Sequence, residues 1–177
     1  MRLLERSMVP LLDLSVTCRP RSPAASAKSM MCIVVIQGPH LRLSSDADFS
    51  PSEGQAKAAG KQLLVHTATT LQQLIECICK ARAADTEIVL LDSGELDTIE
   101  SVPDCVALCD TLDALASPYI KMHDSSRQML DLNVHPQHGP LVSVVVNDDR
   151  AGSYALALAI ALRRLGSRAA PPHAIPA

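Results

Sequence analysis

Aromatic side chains are scarce in this sequence: no Trp, one Phe and two Tyr in 177 residues. Single-stranded nucleic acids are held on aromatic faces, so a stacking platform is excluded. Lys and Arg form no cluster able to neutralise a phosphate backbone, and the net charge is −3. Nucleic acid is therefore not an expected partner. No apolar run reaches the roughly 18 residues that a membrane helix takes, so no membrane span is expected either. Paired C-x2-C units are also missing. The six cysteines, Cys18, Cys32, Cys77, Cys79, Cys105 and Cys109, include one C-x-C and one C-x3-C. Neither is a zinc framework. Four of the six lie among helix formers, where small thiols are commonly buried. The expectation is reduced thiols, a cytoplasmic protein, and no metal or cofactor.

What is present is aliphatic. Hydrophobic residues make up 47% of the chain, enough for the core of one domain. Residues 1–29 stand apart. They have no period, and "MVPLLDLSV" is broken by Pro10 and Asp13, so a signal peptide does not fit. They are expected to be a disordered extension, or sequence ahead of a true start at Met30 or Met31. The folded domain is expected over 30–168, with a flexible tail over 169–177.

From Met31 the order is regular. "MCIVVIQ" (31–37), "KQLLVHT" (61–67), "TEIVLLD" (86–92), "PYIKMH" (118–123) and "LVSVVV" (141–146) read as short buried strands. Between and after them stand helical patterns. "TTLQQLIECICKARAA" (69–84) has apolar residues at 71, 74, 75 and 78 and a Thr to cap it. "VPDCVALCDTLDALA" (102–116) has Pro103 in its first turn. "DRAGSYALALAIALRRLG" (149–166) has Asp148 or Asp149 for a cap, Arg163 and Arg164 to suit its C-terminal dipole, and Gly166 to end it. Strands alternating with helices imply α/β: a flavodoxin-like, five-stranded parallel sheet with helices on both faces. In such sheets ligands bind beyond the carboxyl ends of the strands. That singles out "GPHLRLSS", "DSGELD", "HDSS" and "NDDR".

Those segments, in that order, resemble the type II 3-dehydroquinate dehydratases. The family's G-P-N-L-N-L-L-G after the first strand is met by "IQGPHLRLSS". Its V-A-L-R-D-A-L, then a strand, then E-V-H-x-S-N, is met by "VALCDTLDALASPYIKMHDSS". Its last helix, opening on G-Y with an L-A-L repeat, is met by "GSYALALAIAL". The resemblance spans about residues 31 to 166. It implies an anti elimination of water from 3-dehydroquinate, a small anion, giving 3-dehydroshikimate. An activated Tyr takes the proton and a His protonates the leaving hydroxyl. By position His123 matches that acid, Ser125 a Ser on the substrate carboxylate, and His135 one His of a family H-H pair. Asp110 matches an Asp that reaches into a neighbour's site in a trimer-based dodecamer. Asp124, beside His123, falls where the substrate carboxylate meets backbone amides, and a like charge there repels an anion.

Other positions depart from the pattern. The base belongs in an R-x-P-x-x-Y-G loop, but "DADFSPSEG" has neither Arg nor Tyr. The helix between the first two strands is cut to about "PSEGQAKAAG". A family Asn after the third strand falls on Leu91. Two family Arg fall on Leu130 and Val134. Tyr154 matches a Tyr that packs rather than reacts. The implied protein is a dehydroquinase-like homo-oligomer, an acid without its base, with weak or absent turnover. An active dehydratase with a rearranged site is the alternative. A reading from another class is a receiver-like domain with Asp92 as phosphoacceptor. That fold needs further acids after the first strand to hold Mg²⁺, and "IQGPHLR" has none. Asp92 is otherwise a turn acid.

Overall fold

The computed structural model describes residues 31–38, 49–83, 85–94, 102–123, 136–146 and 149–169. The extension over 1–29 and the tail beyond residue 169 lie outside the described residues. Five strands and four helices follow in the order β1 (Cys32–Gln37), α1 (Ser50–Ala58), β2 (Gln62–Thr67), α2 (Leu71–Lys80), β3 (Thr86–Asp92), α3 (Val102–Asp113), β4 (Tyr119–His123), β5 (Val142–Val145) and α4 (Arg150–Ala169). All four strand pairings are parallel, and the sheet order is β2-β1-β3-β4-β5. This is the α/β, flavodoxin-like sheet that the sequence implied, with helices on both faces.

The pleat explains why the strands read as continuous apolar runs. In β1, Cys32, Val34 and Ile36 join Val89 and Leu91 of β3 on the face covered by α2 and α3. Ile33 and Val35 alternate with them, joining Ile88, Leu90, Ile120, Met122 and Val144 on the face covered by α4. A parallel strand covered on both faces has no polar side to show. Each such side chain contributes about 1.5–3 kcal/mol on burial, so the five apolar residues of β1, all at most 2% exposed, anchor the sheet.

The helices follow their local chemistry. Thr70 caps α2: its side chain accepts the backbone N–H of Gln73 at 3.2 Å. In return Gln73 Oε1 accepts from the backbone N–H of Thr69 at 2.8 Å. Leu74, Ile75, Cys77 and Ile78 of α2 face the core. The shortened α1 has nine residues, Pro51 in its first turn and one buried side chain, Ala56.

Two expectations need correction. Gly166 does not end α4, which runs on to Ala169. It is not among the positive-φ glycines, which are Gly60 and Gly94 in the described residues. A helical Gly costs about 1 kcal/mol relative to Ala, too little to stop a helix that packs along its length. The cysteines are not all reduced. Cys32, Cys77, Cys105 and Cys109 are free, but Cys79 is disulfide-bonded. Burial pushes the thiols of Cys32, Cys77 and Cys109 up, against reactivity. Among the described residues no helix is long and apolar enough to cross a membrane.

Candidate functional site at the strand ends

The sheet order reverses direction between β1 and β3, because β1 continues into α1 on one face and β3 into α3 on the other. Crossovers that part in this way leave a crevice at the carboxyl ends of the two strands. Here the chain is tightly drawn together. The N–H of Gly38 donates to the carbonyl of Asp92 at 2.7 Å. A Cβ on Gly38 would lie 2.3 Å from the carbonyl oxygen of Ser93, so only Gly fits.

The strands end in polar residues that are buried. Gln37, Asp92, Ser93 and His123 are 7%, 5%, 4% and 4% exposed. Gln37 and Asp92, paired across β1 and β3, lie on the α4 face. Asp92 organises that side. Its Oδ1 accepts the N–H of Gly94 at 2.9 Å, closing a turn in which Gly94 takes φ 65°. Its Oδ2 accepts the Tyr154 hydroxyl at 2.5 Å, 62 residues away in sequence. Arg150 Nε stands 3.4 Å from the same oxygen, near enough for an ion pair, although it is not aligned as a hydrogen bond. Gln37 accepts from Thr67 Oγ1 at 3.0 Å. The Tyr154 ring is wedged between Phe49, edge-on at 5.0 Å, and the Arg150 guanidinium, 5.7 Å from its centroid.

These contacts decide what the phenols can do. Burial pushes the Tyr154 phenol far up, and the Asp92 charge and hydrogen bond push it further; Arg150 and Gln37 oppose weakly. Tyr119, the first residue of β4, donates to the carbonyl of His138 at 3.0 Å. Burial first, then Asp113, raises it to about 12. The chain has two Tyr, and both are held as neutral donors.

His123 closes β4 at the carboxyl end. Its carbonyl accepts from the Val146 N–H at 3.3 Å and from Ser153 Oγ at 3.5 Å, which ties the end of β4 to the start of α4. Asp110 is not brought to it. The residue is exposed in the last turn of α3, and α3 runs back toward the amino ends of the strands. Ser125, Asp124 and His135 lie outside the described residues. Leu91 is core on the α2/α3 face, so the polar residue that ends β3 is Asp92, one position on. Sequence reasoning weighed Asp92 as a turn acid, which it is, but missed its bonds to Tyr154 and Arg150. It missed Gln37 and Ser93 altogether. One signal was available: each polar residue closes a buried apolar run, "CIVVIQ" and "IVLLDS".

No protein-family model matches the chain, and no curated protein is significantly similar to it in sequence. Solved structures are similar in fold. A 3-dehydroquinate dehydratase-like protein from Bifidobacterium longum superposes with a TM-score of 0.58 at 19% identity, over 77% of this chain and 98% of that one. The type II dehydroquinase from Propionibacterium acnes gives 0.56 at 18% identity, over 77% and 99%. These superpositions show that this chain has the fold of the type II dehydroquinases.

Proposed function

We propose that this chain is a dehydroquinase-like protein in which dehydration of 3-dehydroquinate is weak or absent, with the strand-end site kept for binding and for assembly. One observation carries the reading. An elimination of this kind starts with proton abstraction by a phenol whose pKa has been drawn down toward neutrality. Both phenols of this chain are pushed the other way, and both donate their protons inward. His123 then remains as the acid, with Ser125 and His135 as substrate contacts and Asp124 as a charge that disfavours an anion. The receiver-like reading has less support, because both oxygens of Asp92 are already engaged and the residue is buried.

The protein is further proposed to be a homo-oligomer, trimer-based, in which exposed Asp110 serves a neighbouring subunit. Apolar residues left at the surface, Val106, Leu141, Val145 and Leu156, are in keeping with contacts between copies. Four free thiols agree with a cytoplasmic setting; the bonded Cys79 does not.

The test is the formation of 3-dehydroshikimate, followed by absorbance at high enzyme concentration, for wild type and His123→Ala. The expected result is turnover orders of magnitude below that of an intact dehydroquinase, with any residue of it lost in His123→Ala. Robust wild-type turnover overturns the reading and points to a base recruited from outside the two tyrosines.

A further inference from the structure

Among the described residues, one buried hydroxyl is left over from the networks described above. Ser93 is 4% exposed, yet its Oγ has no hydrogen-bond partner. An unmade hydrogen bond on a buried hydroxyl costs about 1–3 kcal/mol, so such groups are rare and call for a reason. Ser93 is the first residue past β3. The β3–β4 register runs Leu90 to Ile120, Leu91 to Lys121 and Asp92 to Met122. One further step sets Ser93 beside His123. The pleat that turns Asp92 toward α4 turns Ser93 the other way, to the side of Leu91 and His123. The Gly38 backbone is pressed against Ser93. Folding therefore buries this hydroxyl at the carboxyl-end crevice, on the side of the sheet that the register gives to His123, and leaves it unsatisfied.

We propose that Ser93 is a ligand-binding residue, its hydroxyl donating to an oxygen of a small hydroxylated keto acid held between Ser93 and His123. This rests on the site reading given under Proposed function and adds the residue that recognises the ligand. A hydroxyl can donate or accept, and so can an imidazole. Two such groups side by side suit a ligand that carries adjacent hydroxyl and carbonyl oxygens. In the free protein the unmet bond is the cost of preorganisation, recovered when the ligand oxygen arrives.

The experiment titrates 3-dehydroquinate into wild type, Ser93→Ala and Ser93→Cys by calorimetry, and records thermal unfolding of each protein without ligand. Ser93→Ala is expected to bind about 5- to 10-fold more weakly, the loss of one hydrogen bond. It should also unfold at an equal or higher temperature, because an unsatisfied hydroxyl has been removed. Ser93→Cys, nearly isosteric and a weak donor, should fall between. Equal affinity in Ser93→Ala overturns the proposal. So does a lower unfolding temperature, which would show that the hydroxyl holds the fold. No binding by wild type at millimolar ligand overturns the ligand class. The turnover assay decides the dehydratase reading separately, since a protein can bind without turning over.

Discussion

The Tyr154 hydroxyl donates to Asp92 Oδ2 at 2.5 Å, joining the first turns of α4 to the last residue of β3. A hydrogen bond to a charged acceptor is worth about 1.5–3 kcal/mol, and this one is buried. Tyr154→Phe is therefore expected to lower unfolding stability in urea by about that amount. Residual turnover, if measurable, should not change, because the phenol is a donor and not a base. A Tyr154→Phe protein as stable as wild type would show that the bond contributes nothing. Abolition of a measurable wild-type rate by the same change would reinstate Tyr154 as a reacting group.

Alkaline pH should unfold the protein. Both phenols are raised on folding, Tyr119 from the ordinary value near 10 to about 12 and Tyr154 further. Between those values the folded chain holds protons that the unfolded chain has lost, so stability falls as pH rises. The contribution is whole below about pH 10 and disappears as pH climbs through the folded values. With no Trp in the chain, tyrosinate absorbance reads the two phenols directly. It should appear together with loss of helical circular dichroism above about pH 10. Titration of both phenols at pH 10 in a chain that stays folded would contradict this.

Gly38→Ala tests the close approach of the loops after β1 and β3. The new methyl would meet the Ser93 carbonyl oxygen at 2.3 Å, and backbone does not yield as a flexible side chain does. A loss of about 3 kcal/mol, at the upper end of overpacking costs, is expected by chemical denaturation. A change under about 0.5 kcal/mol would mean that the two loops can part.

Thr70→Ala removes the cap of α2. Its cost is expected at about 0.5–2 kcal/mol, with Thr70→Ser close to wild type. Equal losses in both variants would place the effect in packing and not in the cap.

Assembly is expected to survive where turnover does not. Light scattering of the purified protein should report a multiple of three subunits, and Asp110→Ala should leave that mass unchanged while altering ligand affinity. A monomer in solution would remove the intersubunit role of Asp110.

The strands were legible because each is a β-branched run set off by turn residues, and a strand buried on both faces cannot hide in a polar pattern. The five-stranded parallel sheet followed as well, since alternating strands and helices admit few topologies. His123 was legible because it closes an apolar run, and a strand's last residue falls at the sheet's carboxyl end. The cluster of Gln37, Asp92 and Tyr154 was not, because its members lie between 55 and 117 residues from one another and none has a local signature. Its existence depends on α4 crossing the ends of β1 and β3, and no residue pattern in α4 states that. Gly166 misled for a related reason: a stop signal read locally was outweighed by packing along Leu158, Ala161 and Leu165.

The place of β1 has a further consequence during synthesis. This strand emerges from the ribosome first, but it lies between β2 and β3 in the sheet. Its register partner Asp92 lies 55 residues after Gln37. Until that stretch has been translated, one edge of "CIVVIQ" has no strand to pair with, and its apolar side chains face the surrounding medium. The nascent chain thus carries an exposed, uncharged β-prone segment for several seconds at about 5–20 residues per second. Chaperone demand should therefore peak before β3 appears, and truncations ending ahead of residue 86 should aggregate.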